Sequence, residues 1–341
     1  MHVGVGVVGF GYWGPNLARN LEALSDVRLV GIADPAPDCR ASAARSHPGA
    51  RIHAGLDELL GDPDVEAVAL ATPAAAHFEH ARRVLDTGRH VLVEKPLALS
   101  VRECDELIAT ADRQGTVLMV GHTFLYNSAV RWFHDYLARG EAGDVRYVHS
   151  ERLNLGRVRD DVSVLWNLAP HDLAMLLYLL DGRAATVRAH GLACLQDERE
   201  DVVFLTVEMA DGVLGHVHVS WLDPQKVRRV TVVGSQTMVV FDDVDVERPI
   251  QVFDRGIDVI DGPGDTSSLG EFRTRVRTGD LLVPRIDSQE PLALECQEFV
   301  DAILHGAKPL ADGAEGRRVV AILEAAQSSL RRGGVSVPIT P

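Results

Sequence analysis

Three stretches of this chain have residue types and spacings suited to chemistry. They are Arg89-His90-Val91-Leu92-Val93-Glu94-Lys95-Pro96-Leu97, Gly9-Phe10-Gly11-Tyr12-Trp13-Gly14, and Trp166-Asn167-Leu168-Ala169-Pro170-His171-Asp172-Leu173. The first is an apolar run that ends in a charged pair and a proline. A lysine desolvated at such a strand end can give up its proton and act as a base, which arginine cannot. Of 34 basic residues only Lys95, Lys226 and Lys308 are lysines, so plain surface charge is carried by arginine here. The same pair also suits a solvated Glu94–Lys95 ion pair, and the rest of the chain must decide between the two. In the third stretch Asn167 and His171 stand four apart and share a helical face, where an imidazole can transfer protons. The plainer alternative makes Asn167 a helix cap and His171 a hydrogen-bonded core residue.

The glycine-rich stretch follows an apolar strand, Val3 to Val8, and precedes Leu17, Leu21 and Leu24 at helical spacing, with Pro15 in the first turn. Strand, GxGxxG and helix in that order bind dinucleotides. The first two glycines permit a tight turn and close approach to a pyrophosphate, and the third permits helix–strand packing. Free N–H groups and the positive dipole end of the helix complete the anion site. A second strand, Val27 to Ala33, ends at Asp34, 20 positions beyond Gly14, where such folds place the acid for the adenosine ribose. Gly9, Phe10, Gly11, Tyr12, Trp13, Gly14 and Asp34 are therefore the first cofactor-binding candidates. Asp34 favours NAD, because it repels a 2′-phosphate; Arg40 and Arg45 shortly after it keep NADP open.

These residues need elements to position them. A short helix is expected over 57–60, a strand over 67–71 ending at Thr72-Pro73, and a helix over 77–87. The Lys95 strand follows, then a helix over 100–114 opened by Ser100 with Glu103 three residues on, and a strand over 116–120 ending at His122. Alternating strands and helices imply a doubly wound parallel sheet. Ligands of such sheets bind outside the carboxyl ends of the strands. Thr72, Pro73, His77, Glu94, Lys95 and His122 are thus expected to line one cofactor crevice.

From about residue 145 consecutive strands with little helix between them imply a large open antiparallel sheet: 145–154, 185–195, 201–209, 213–221, 227–234 and 237–242. The apolar helix 166–180 interrupts it, and 291–305 and 314–331 are closing helices. Residues 243–288 read as a long charged excursion. The domain organisation expected is 1–122 for the dinucleotide-binding Rossmann unit, 123–290 for an α+β substrate and oligomerisation unit, and 291–341 for closing helices and tail. His216 and His218 form an HxH on one strand face; with no third ligand in view, a polar sheet face is the better reading and no metal site is expected.

The length of 341 residues suits about two domains. A formal net charge of −15 argues against nucleic acid and anionic membranes as partners. Cys39, Cys104, Cys194 and Cys296 are scattered without a CxxC pair, which suits a reducing cytoplasm. The start of the chain does not read as a signal peptide. The longest apolar run, Leu173 to Leu180, is too short to span a bilayer.

Taken together, Gly9-x-Gly11-x-x-Gly14, Glu94-Lys95-Pro96 and Asn167-x-x-x-His171-Asp172 resemble the Gfo/Idh/MocA oxidoreductases over essentially the whole chain. The resemblance implies hydride transfer between NAD(P) and a secondary hydroxyl or ketone of a sugar, sugar nucleotide, aminosugar or cyclitol. It implies Lys95 and His171 as the catalytic pair, with Asn167 where many members carry Asp. An Asn can only hydrogen-bond at that point, so more of the acid–base work falls on Lys95 and His171. Homodimers or homotetramers through the open sheet are implied as well. Tyr126, Asn127, Arg152, Asn154 and Arg157, with Lys95, Asn167 and His171, are the expected substrate contacts; Arg157 and Arg159 suit a phosphate or carboxylate. Some relatives are glycosidases that use NAD transiently and a few are sensors without turnover, so both remain alternatives.

Overall fold

The structure, a computed structural model, describes residues 2–156, 158–259 and 274–340. Its first sheet comprises β1 (Val3–Val8), β2 (Val27–Ala33), β3 (Arg51–His53), β4 (Ala67–Leu70), β5 (His90–Glu94) and β6 (Leu118–Gly121). All neighbours pair in parallel, in the order β3-β2-β1-β4-β5-β6. Continuous apolar runs form these strands because both faces are covered: β1, β4 and the Val91–Val93 run are buried throughout. The covering helices are α1 (Gly14–Glu22), α2 (Pro37–Ser46), α3 (Leu56–Leu60), α4 (Ala74–Asp86) and α5 (Val101–Gln114). α2 and β3 carry too weak a period to be read from sequence. At α5 the Ser100 hydroxyl accepts the Glu103 N–H at 3.3 Å, while the Glu103 carboxylate reaches the Leu99 N–H at 3.1 Å. This is a capping box displaced by one residue. Chain order reverses between β1 and β4, and the ligand crevice of a doubly wound sheet opens at that switch.

A 3-10 turn, Thr123–Tyr126, and α6 (Ser128–Ala138) lead into the second sheet. Its strands are β7 (Val145–Leu155), β8 (Ala184–Leu192), β9 (Val202–Met209), β10 (Leu214–Ser220), β11 (Leu222–Gly234), β12 (Met238–Asp242), β13 (Ile250–Val259), β14 (Thr274–Leu282) and β15 (Val337–Pro338). The order is β14-β13-β12-β11-β7-β10-β9-β8-β15. The expected antiparallel sheet is present with one parallel pair added, and one expectation is corrected. The sheet is mixed: β7 pairs with β10 in parallel, because the intervening helix and two strands bring the chain back in the same direction. The stretch 243–288 is no simple excursion, since β13 and β14 extend the sheet as consecutive antiparallel neighbours, and their charged residues hide the strand period; 260–273 within it lie outside the described residues.

One face of this sheet buries Val148, Val217, Val219, Val230 and Val232 under α7 (Val164–Leu180), which is apolar nearly all round. The other face leaves Tyr147, Phe204 and Leu214 exposed beside His149, His216 and His218. His218 stacks on Phe204 at 4.2 Å. α8 (Pro291–His305) packs on α1 and the 3-10 turn. α9 (Gly313–Arg331) returns across α5 and β6, where Gly316 lets its backbone approach Val120 and Leu97. α7 is thereby held between the second sheet and α9, with its first turn against the end of β5.

Candidate active site

The turn after β1 is shaped by its glycines. Gly9 has φ +90°, which L side chains rarely adopt, and a Cβ on Gly14 would lie 1.9 Å from the Gly9 carbonyl oxygen. A Cβ on Gly11 would meet no protein atom within 4 Å, so the protein leaves open the space beside that backbone. Asp34 is buried, and its two oxygens accept the Phe10 N–H at 2.6 Å and the Ala36 N–H at 2.8 Å. A glycine cradle left open beside the helix start, with an oriented acid at the end of β2, fits a dinucleotide. The Arg40 guanidinium donates to the backbone carbonyls of Asp34 and Pro35 and so does not face away from this strand end. Gly11→Ala should therefore leave the melting temperature of the apoprotein unchanged yet weaken NAD about ten-fold or more. Titration of NAD into wild type and variant checks this, and equal affinities would refute the cradle assignment.

Beyond the turn, Lys95 extends from the end of β5 across to α7, and its Nζ donates to the Asn167 carbonyl at 2.8 Å. The contact is made to the main chain. The amide side chain of Asn167 bonds to no described protein group, so Asn in place of Asp does not alter this tether. Burial lowers the Lys95 amine to about 8, against the pull of Glu94, with Arg152 and Arg159 helping to lower it. Burial likewise raises Glu94 to about 7, against the pull of Lys95. The Lys95–Pro96 peptide is cis.

His171 points into the same centre with its Nδ1 buried and unpartnered, its ring tilted against Phe124 at 5.2 Å. Burial and then Lys95, Arg152, His122 and Arg228 hold its pKa well below 6.5. It is thus a neutral imidazole at physiological pH. Both ring nitrogens of His122 are also buried and unpartnered, and burial with Lys95 lowers it to about 3. Orphaned ring nitrogens on His122 and His171, both close enough to Lys95 to feel its charge, are otherwise costly and fit a place built for a ligand; an Asn154 oxygen is likewise buried and unpartnered.

The neutral histidines give stability a pH dependence with a definite sign. An unfolded histidine takes up a proton below about 6.5, whereas folded His122 refuses one until about 3. Stability is thus complete above the unfolded pKa and falls as pH drops, by about 1.4 kcal/mol per pH unit for each such ring. His122→Gln should flatten the fall in unfolding free energy between about pH 6 and 4 by that amount. Urea titrations of both proteins at several pH values read it directly, and parallel slopes would contradict it.

A model of the oxidoreductase family with an NAD-binding Rossmann fold matches residues 3–122, and a model of the GFO/IDH/MocA C-terminal domain matches residues 130–240. The chain belongs to the Gfo/Idh/MocA family. It is 29% identical over 323 residues to UDP-N-acetylglucosamine 3-dehydrogenase of Acidithiobacillus ferrooxidans, covering 94% of this chain and 95% of that one. It is 30% identical over 228 residues to inositol 2-dehydrogenase 2 of Saccharopolyspora erythraea, covering 64% and 67%. Among solved structures, GenD2 from gentamicin A biosynthesis, in complex with NAD, superposes with a TM-score of 0.83 at 28% identity, covering 100% of this chain and 97% of that one. The Rossmann unit, the NAD cofactor and the oxidoreductase class read from sequence all agree with these matches.

Within this family fold the structure reassigns several residues expected at the site. His77 is buried, and its two ring nitrogens face the Pro96 and Thr72 carbonyls at 2.6 and 2.9 Å; it lashes the end of β4 to the loop after β5 and has no atom left for a cofactor. Tyr126 is fully buried, with its hydroxyl donating to Glu298 on α8. Asn127 caps α6, accepting the Ala129 N–H at 2.8 Å. Arg152 is consumed by Asp172 at 2.6 Å under the Phe124 ring. Tyr12 is 84% exposed at the rim of the glycine turn, and Trp13 is half-buried beside Glu94. Thr72 and Pro73 stand at the end of β4, where Pro73 opens α4. Arg157 lies outside the described residues. Sequence reasoning missed Glu295, fully buried on α8 with both carboxyl oxygens unpartnered. Burial and then Glu94 hold it well above 4.5. Its one sequence signal was an acid on the apolar face of a helix.

Proposed function

We propose that this chain is an NAD-dependent dehydrogenase or reductase acting on a secondary hydroxyl or ketone of a sugar, sugar nucleotide, aminosugar or cyclitol. Lys95 carries the reading: an amine lowered to about 8 by burial and held at 2.8 Å by a helix carbonyl, beside a glycine cradle open for a dinucleotide. Gly9, Gly11, Gly14 and Asp34 would hold NAD, with Thr72, Glu94 and His122 along the same strand ends. When bound, NAD supplies a hydride acceptor, or in its reduced form a hydride donor.

The protein's own groups handle the proton. Neutral Lys95 spends one N–H on Asn167 and keeps its lone pair for the substrate hydroxyl, so it is the general base in oxidation and, once protonated, the acid in reduction. His171, too weak a base to compete, hydrogen-bonds the reacting oxygen and orients it. The dehydrogenase activity of the UDP-N-acetylglucosamine relative and the inositol relative supports a sugar-type substrate.

The test is NADH formation by the purified protein across inositols, aminosugars and sugar nucleotides, with NAD outperforming NADP because of Asp34. Bound cofactor that no substrate reduces would favour a sensor. Free sugar released from an aryl glycoside without net NADH would favour a glycosidase. The exposed Tyr147, Phe204 and Leu214 support a homodimer or homotetramer through the open sheet face, which sedimentation of the protein reads. Four unpaired thiols support a cytoplasmic setting.

A further inference from the structure

A cavity of about 1060 Å³ opens between the first turn of α7, the segment before it, the 198–200 turn and the end of α9. It shares no residue with the Lys95–His171 centre, yet it adjoins that centre. Ser163, Asn167 and His171 recur every four residues and so form one row on α7. The row runs from the wall of the cavity at Ser163 to the catalytic imidazole in about 12 Å, at a rise of about 1.5 Å per residue. Asp161, on the cavity wall, bears electrostatically on Lys95.

The cavity is built for a ligand. Ser163 is 7% exposed, stands at the helix start without capping it, and leaves its Oγ unpartnered. The Trp166 indole is fixed by its N–H to Gln327 at 3.2 Å, which joins α7 to α9 across the cavity floor. The outer wall is pinned too: Gln196 donates to the Arg159 carbonyl at 2.8 Å and receives Arg199 at 2.9 Å. The charges sort into engaged and free. Asp161 is taken by Arg159 and Glu324 by the Val101 N–H. Arg199 is engaged by Gln196, Arg331 and Arg332 have no carboxylate partner among the described residues, and the Glu198 and Glu200 side chains accept no hydrogen bond among the described residues. Free guanidiniums suit phosphate oxygens, free carboxylates suit a vicinal diol, and a fixed indole suits a planar ring.

Resting on the dehydrogenase reading above, we propose that this cavity is the subsite for the distal part of the substrate, and that this part is a nucleoside diphosphate. The reacting sugar then lies at Lys95 and His171, and the diphosphate extends along the Ser163 row to Arg331 and Arg332. The protein turns over a sugar nucleotide and discriminates against the free sugar.

NAD-saturated protein titrated calorimetrically with UDP tests the subsite alone, because UDP carries no oxidisable sugar. One UDP per chain should bind. Arg331→Ala/Arg332→Ala should weaken it about ten- to a hundred-fold while its melting temperature stays that of wild type, since both side chains are exposed. Inorganic pyrophosphate should bind more weakly and lose affinity in the same variant. No heat with UDP, or equal affinity for the variant, overturns the proposal. So does a di- or triamino sugar that binds instead and depends on Glu198 and Glu200. If UDP fails while a free sugar is oxidised in a Lys95-dependent way, the subsite is wrong and the dehydrogenase reading stands.

Discussion

Lys95→Ala lowers turnover by about 10²–10⁴-fold, the range expected when a positioned general base is removed. NAD affinity stays within a few-fold, because the glycine turn and Asp34 do not touch this side chain. The reasoning is electrostatic. Burial disfavours the charged amine more than the neighbouring Glu94 favours it, so the lysine sits at about 8 and not at its usual value above 10. Oxidation needs the neutral amine, so kcat in that direction should rise with pH through about 8 and level off; reduction needs the ammonium and should fall over the same span. Lys95→Arg should not rescue, because a guanidinium retains its proton. Steady-state kinetics by NADH absorbance, with the variants' NAD affinities measured separately, decide it. Full turnover by Lys95→Ala would sink the assignment.

Asp172→Ala costs about 3–5 kcal/mol of folding stability, the second large effect. Asp172 and Arg152 are both buried and joined at 2.6 Å, and the other carboxylate oxygen accepts the Ser150 hydroxyl at 2.6 Å. Removing the acid strands a guanidinium in the core with only the Phe124 face for company, at 4.4 Å. Most of the cost is that uncompensated charge, so Asp172→Ala/Arg152→Met should regain a good part of it. Phe124 also packs on His171, so the single variant should lose activity beyond its fraction unfolded. Urea unfolding of both variants measures the first effect and kcat near neutral pH the second. A single variant within about 1 kcal/mol of wild type would mean that the pair is not buried as described.

How much of this was legible beforehand depends on the range of the interaction. The glycine turn, its strand and helix, and Asp34 are short-range features: their requirement for φ above zero at Gly9 and for no Cβ at Gly14 is written into consecutive residues. The Lys95 strand end was legible for the same reason, an apolar run that stops at a charge. Strand existence in the second sheet followed from alternation, but the parallel β7–β10 pair did not, because its partners are distant and local pattern is silent about them; β13 and β14 pair with adjacent strands, yet their charged residues hide the period. Roles were least legible where polar residues answer to neighbours far along the chain. Tyr126 and Glu298 are 172 residues apart, and a hydroxyl expected to face substrate turned to a half-buried carboxylate instead.

By itself, then, the sequence determined that a dinucleotide cradle and an ionisable amine stand at the carboxyl ends of one parallel sheet, since each is specified within a few residues. Only the tertiary structure decided what that amine touches. Its partner is a backbone carbonyl 72 residues away, which exists at Asn167 whatever the side chain. Desolvation, which sets the proton affinities of Lys95, His171 and His122, is likewise a property of everything packed around them and belongs to no single stretch of chain.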